Sequence, residues 1–176
     1  MKALIVIDMQ KDFTTGVLGN PQTAAVTGPV AEKIRDFCKN EPDGLVIATM
    51  DTHTENYMNT QEGKYLPVPH CIRETEGWQL EEAVQKALPD NAVIVEKVTF
   101  GAINLPEIIG KDRDIEEFQV VGVCTDICVI SNAMILKAAF PEVPVRVIPA
   151  CCAGVTPESH ENALAAMRVC QIITEE

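Results

Sequence analysis

Short apolar runs recur along this chain, each followed by a loop and then by a stretch with helical spacing. That alternation constrains the fold more than any other feature. The runs fall at residues 3–7, 45–49, 92–95, 119–123, 145–148 and, less regularly, 171–173. Runs this short, apolar throughout and rich in Val and Ile, read as strands buried on both faces. Helical patterns lie near residues 29–39, 78–88, 105–109, 126–139 and 157–170. Pro29 and Pro157 suit first-turn positions, where no helical amide bond is lost. The pattern predicts an α/β fold, a doubly wound, mostly parallel sheet of about six strands with helices on both faces. At 176 residues the chain supports one well-cored domain and not two, so 1–176 reads as a single domain. Residues 51–77 carry no convincing element, and so long a loop in a compact domain is usually functional.

Charge narrows the partners. Fourteen basic and 26 acidic residues leave a net charge of −12, which repels phosphate backbones and anionic lipid surfaces. Nucleic-acid and membrane partners are therefore not expected. The first apolar run is too short for a signal or transmembrane segment, and Asp8 ends it. Seven cysteines, an odd number without a disulfide-scaffold spacing, point to a reducing, cytoplasmic setting.

The stretch 118–132, FQVVGVCTDICVISN, is where a buried strand is expected to turn sharply into a helix. Thr125 or Asp126 would cap that helix, because their side-chain oxygens can accept first-turn amides. Cys128 would then sit in the first turn, where the positive end of the helix dipole favours a thiolate. It is a candidate nucleophile, with a small core residue as the alternative. Open α/β sheets bind ligands at the carboxyl ends of their strands. Asp8 ends the first run, Asp51 and His53 follow the second, Lys97 the third, and Cys124 and Cys128 the fourth. An Asp after a strand also serves as a turn or cap residue, and a lysine there is often solvated. Chance readily places one or two reactive groups at that edge; four are harder to dismiss.

A buried Asp8–Lys97 pair beside Cys128 has a chemical purpose. The carboxylate can take the thiol proton, and the ammonium keeps the carboxylate ionised. Asp51, His53 and His70 offer oxygen and imidazole ligands suited to zinc, iron or manganese, and Glu62 could complete the set. Surface histidines on a loop are the alternative. Phe13, Tyr57 and Phe100 could wall a pocket for an aromatic ring. Cys124, four residues before Cys128, leaves a redox switch open, although the spacing is not C-x-x-C.

IVIDMQKDF near the start, the lysine in EKVTFGA, and GVCTDICV together resemble the isochorismatase-like cysteine hydrolases, almost end to end. The resemblance implies a catalytic triad of Asp8, Lys97 and Cys128. It implies a cis peptide between Val123 and Cys124, and an oxyanion hole formed by the amides of Cys124 and Cys128. Within that superfamily Asp51, His53 and His70 are similar to the metal ligands of nicotinamidases, and Glu62 to a further carboxylate that some members use. Phe13 matches an aromatic flanking the substrate ring, with Val123 and Cys124 beside it. One divalent metal ion, zinc before iron or manganese, is implied, as are a small carboxamide substrate and a homo-oligomer. The chain departs from many nicotinamidases before the metal histidine, where W-P-x-H is replaced by Pro67-Val68-Pro69-His70. Trp78 or Tyr65 would have to supply the missing ring.

Three functions follow from these residues. The resemblance implies amide hydrolysis, nicotinamide to nicotinate and ammonia, through a Cys128 thioester. The alternatives are another small-amide or isochorismatase-type hydrolase on the same fold, and a thiol sensor built on Cys124 and Cys128.

Overall fold

Leu4, Ile5, Val6 and Ile7 are fully buried, as a strand covered on both faces requires. They belong to β1 (Lys2–Ile7), the centre of the sheet in a computed structural model that describes residues 1–110 and 112–174. Helices α1 (Lys11–Thr14), α2 (Pro21–Ala25) and α3 (Thr27–Asn40) lead to β2 (Leu45–Asp51). A 3₁₀ turn at Tyr57–Asn59, α4 (Gln61–Tyr65) and α5 (Glu82–Gln85) lead to β3 (Val93–Lys97). Then come α6 (Leu105–Ile109), β4 (Glu117–Val123), a π-helical turn at Thr125–Val129 and α7 (Ile130–Ala139). The chain ends through β5 (Val145–Ala153) and α8 (Pro157–Val169).

All pairings are parallel, in the order β3-β2-β1-β4-β5. The sheet has five strands, not about six. Residues 171–173 make a single bridge, Ile173 to Arg146, because α8 runs to Val169 and leaves only a short return beside β5. Alternate β1 side chains enter two apolar clusters. Ala3, Ile5 and Ile7 pack with Leu105, Leu136 and Met167 of α6, α7 and α8. Leu4 and Val6 pack with Val30, Ile34 and Phe37 of α3. Each of these except Ala3 contributes about 1.5–3 kcal/mol on full burial. Among the described residues no helix is long and apolar enough to cross a membrane.

Several local expectations hold. Pro157 opens α8 behind a Thr156–Ser159 capping box, and Pro29 lies in the first turn of α3. The pattern at 78–88 yields a helix only at Glu82–Gln85. Residues before it are drawn against the exit of β1, where Lys11 N donates to Gln79 O and Leu80 bridges Gln10. The stretch 51–77 is not without structure, since the 3₁₀ turn and α4 lie in it.

Strand order places the switch point between β1 and β4, which run side by side while their connections lead to opposite edges. Gly122 permits that contact: its φ is +120°, and a Cβ there would run into the Ile7 carbonyl.

Candidate active site

The ends of β1, β3 and β4 deliver three side chains to one point. Lys97 Nζ lies 2.6 Å from Asp8 Oδ2 and 3.7 Å from Cys128 Sγ, all three residues being buried. Asp8 follows β1 in a left-handed conformation, φ 46°, a strain of about 1–2 kcal/mol that sheet packing must sustain. Thr49 Oγ1 donates to Asp8 Oδ1 at 2.7 Å and leaves Oδ2 for the lysine. Lys97 Nζ also donates to Thr99 O at 2.9 Å and sits 3.3 Å from Asp51 Oδ1. Burial works against the ammonium, but Asp8, Cys128 and Asp51 outweigh it and raise its pKa. Burial also raises the Asp8 carboxyl, with Lys97 pulling the other way, so the carboxylate is disposed to accept a proton.

Cys128 corrects one expectation. Burial, and then the Asp8 charge, push its thiol well above the ordinary range despite Lys97. Burial and that charge thus oppose the pull of the helix start toward a thiolate. Lys97 Nζ contacts both Asp8 and Cys128, which brings the carboxylate close to the thiol whose proton it would accept. Neither expected cap is used: Thr125 Oγ1 bonds His160 Nδ1 at 2.7 Å, and the Asp126 carboxylate accepts Val155 N at 3.2 Å. The turn closes through Cys124 O, which accepts the amides of Ile127 and Val129. The Val123–Cys124 peptide is cis.

Beside the three lies a cavity of about 200 Å³, walled by Phe13, Leu18, Leu66, Phe100, Ile127 and Val155, with Cys124 and Cys128 at its edge. That is below the ~300–1,000 Å³ typical of drug-sized ligand sites, so it suits one small ring. Phe13, Phe100 and Cys124 thus line this cavity. Val123 does not: its side chain is fully buried in the apolar cluster on the α3 face, so only its backbone lies near the site. Tyr57 packs behind His53 and His70, with ring centroids 4.7 and 4.9 Å away. Trp78 does not replace the absent ring, because its Nε1 donates to Thr52 Oγ1, and Tyr65 is 83% exposed. Leu18, Leu66, Ile127, Val155 and the Thr49 hydroxyl went unread in the sequence. Only Thr49, near the end of β2 beside Asp8, carried a positional signal.

Asp51, His53, Glu62 and His70 meet on the same cavity's other flank, their ligand atoms all within 4.8 Å of one another. His53 Nε2 is 2.9 Å from Asp51 Oδ2 and 3.6 Å from Glu62 Oε1; His70 Nε2 is 3.5 and 3.6 Å from the same oxygens. Tetrahedral ligands at about 2.0–2.2 Å from an ion stand roughly 3.3–3.6 Å apart. The donor set therefore fits a divalent metal ion. His70 Nδ1 faces Val68 O at 2.8 Å, which directs Nε2 into the group. Burial raises Asp51, but bonds to His53 and His70 together with Lys97 overcome it and hold the carboxyl well below the usual range. Burial and the Asp51 charge raise Glu62.

The isochorismatase domain model matches residues 2–176. A nicotinamidase/pyrazinamidase of Mycobacterium tuberculosis is 28% identical, covering 98% of this chain and 97% of its own. A nicotinamidase of Escherichia coli is 29% identical, with 96% and 90% covered. Among solved structures, a pyrazinamidase of Pyrococcus horikoshii in complex with zinc superposes with a TM-score of 0.82 at 28% identity, over 99% and 98% of the two chains. The chain belongs to the isochorismatase family, on its nicotinamidase-like branch.

Proposed function

We propose that this chain is a metal-assisted cysteine amidohydrolase acting on a small ring carboxamide, nicotinamide first, with nicotinate and ammonia as products. The observation that carries the reading is the contact of Lys97 with both Asp8 and Cys128 beside a cavity sized for one ring. Asp8 takes the Cys128 proton as the sulfur attacks the carboxamide carbon, with Lys97 stabilising the carboxylate beforehand. The amides of Cys124 and Cys128 hold the developing oxyanion, worth roughly 3–4 kcal/mol per donor. As the C–N bond breaks, the proton passes from Asp8 to the nitrogen and ammonia leaves. Water, deprotonated by Asp8, then attacks the thioester; the carboxylic acid departs and the thiol is restored.

A divalent ion held by Asp51, His53, Glu62 and His70, zinc before iron or manganese, would supply Lewis acidity and an anchoring charge for a ring nitrogen. Phe13 and Phe100 would enclose the ring and exclude water. The seven free cysteines support a cytoplasmic setting, and the family resemblance supports a homo-oligomer.

Ammonia release from nicotinamide, pyrazinamide and aliphatic amides, with and without chelator, tests the reading. Chelation should lower turnover of the ring carboxamides more than that of the ring-free amides. Equal loss across the panel would make the metal structural, and no release from any amide would end the amidase reading.

A further inference from the structure

Two side chains that the reaction leaves unused join the metal-ligand group to the triad. β1 stops at Ile7, paired with Thr49, two residues short of Asp51. On its other side β2 continues to the end, with Asp51 paired to Lys97 of β3. The Asp51 backbone would thus lack a partner toward β1. Gln10, fully buried, fills that place. Its Nε2 donates to Asp51 O at 2.8 Å and its Oε1 accepts Asp51 N at 2.7 Å, so the side-chain amide stands in for the next stretch of strand. The second Nε2 hydrogen goes to Trp78 O, also at 2.8 Å, which leaves no donor unmade.

Asp12 acts on the histidines. Its Oδ2 accepts Cys71 N at 2.8 Å, immediately after His70, where the backbone takes a left-handed φ of 46°. Cys71 O in turn accepts His53 N at 2.9 Å. One carboxylate therefore holds the residue whose two flanking peptides reach His70 on one side and His53 on the other. Gly77 makes room for it: Asp12 N donates to Gly77 O at 2.9 Å, and a Cβ on residue 77 would run into the carboxylate. Residues 8, 10 and 12 thus hand the triad base, the Asp51 backbone and the His70 backbone to a single short segment.

We propose that Gln10 and Asp12 are positioning residues that set the ligand group at its working distance from Asp8; the proposal rests on the metal-assisted reading above. Neither touches substrate or metal. Removing such supporting bonds typically costs about 10–100-fold in metal affinity. Asp12→Ala, Asp12→Asn and Gln10→Met of the full chain would be compared with the wild type for cobalt(II) affinity, by chelator competition, and for the cobalt ligand-field spectrum. Near-ultraviolet dichroism reports the fold in each. Asp12→Ala should weaken cobalt at least tenfold and alter the spectrum. Asp12→Asn keeps an oxygen for Cys71 N and should stay within a few-fold of the wild type. Should Asp12→Ala fail to fold, Gln10→Met, which keeps volume and removes both bonds to Asp51, carries the same expectation. Wild-type affinity and spectrum in the folded variants would overturn this inference alone. No cobalt or zinc uptake by the wild-type chain would overturn the metal reading and this inference with it.

Discussion

The proposed triad and the proposed metal-ligand group meet at one cavity, lined by Cys128 of the first and by Asp51, Glu62 and His70 of the second, yet they are built by opposite means. Asp8 and Lys97 stand at or just beyond the ends of strands, and Cys128 in the turn after β4. The ladders joining β1 to β2 and β4, and β2 to β3, are unbroken, Ile7 against both Thr49 and Gly122, and Asp51 against Lys97. The β4–β5 register shifts between Val120 and Gly122. Moving Asp8 or Lys97 requires slipping a strand, which turns every buried side chain to the wrong face. His53, Glu62 and His70 hang on the long β2–β3 connection, whose backbone finds its partners one bond at a time. His53 N reaches Cys71 O, Thr60 Oγ1 caps α4 by accepting Gly63 N, and Tyr57 Oη donates to Leu66 O. The sheet supplies cooperative precision; the loop supplies a set of separate bonds of about 1 kcal/mol each. Asp51 belongs to both, with one oxygen near Lys97 and the other near the histidines.

That contrast predicts steep effects at the triad and graded ones in the loop. The largest belongs to Cys128→Ala, which should reduce ammonia release by about 10⁴-fold or more, since Cys128 is the thiol that contacts Lys97. Retention of a tenth of the activity would sink the nucleophile assignment. Next comes His70→Ala, expected to lose metal by more than the ~10–100-fold that supporting residues cost, while Cys128 still reacts with iodoacetamide. Simultaneous loss of metal and of alkylation would break the division between the two halves. Thr49→Val should lower kcat by about tenfold through one hydrogen bond to a charged group, roughly 1.5 kcal/mol, with metal content unchanged. The smallest effect is assigned to Cys124→Ala. Its sulfur lines the cavity and is held as a thiol by burial, Asp126 and Asp8, which push its pKa up to about 12. Losing that contact should cost about 0.8 kcal/mol, or fourfold. A loss as large as that of Cys128→Ala would favour a paired-thiol device over an amidase.

How much could be read in advance depended on whether the signal was local. Strand runs, the Pro157 helix start and the placing of Asp8, Asp51, Lys97 and Cys128 at one sheet edge follow from apolar length and from parallel topology. The 78–88 pattern misleads because Leu80 and Val84 are buried at helical spacing, while residues 76–79 form a turn, closed by Gln79 N to Glu76 O, that is held against the segment after β1. The short α2 was overlooked although Asn20-Pro21 with Thr23 is a capping-box signal, since a five-residue helix has too little periodicity to register. Val123 was assigned to the substrate, but strand alternation sends its side chain into the core on the α3 face.

By itself the sequence determined the class of fold, because uninterrupted apolar runs can be satisfied only between two helical layers. It also determined which ionisable groups reach the carboxyl edge, because a strand's end is set by where its apolar run stops. Tertiary structure alone decided what those groups become. Burial opposed the thiolate that the helix start favours at Cys128, and a side-chain amide from one segment completed the strand of another. Both depend on solvent exclusion and on partners far along the chain, and neither quantity is written in local residue order.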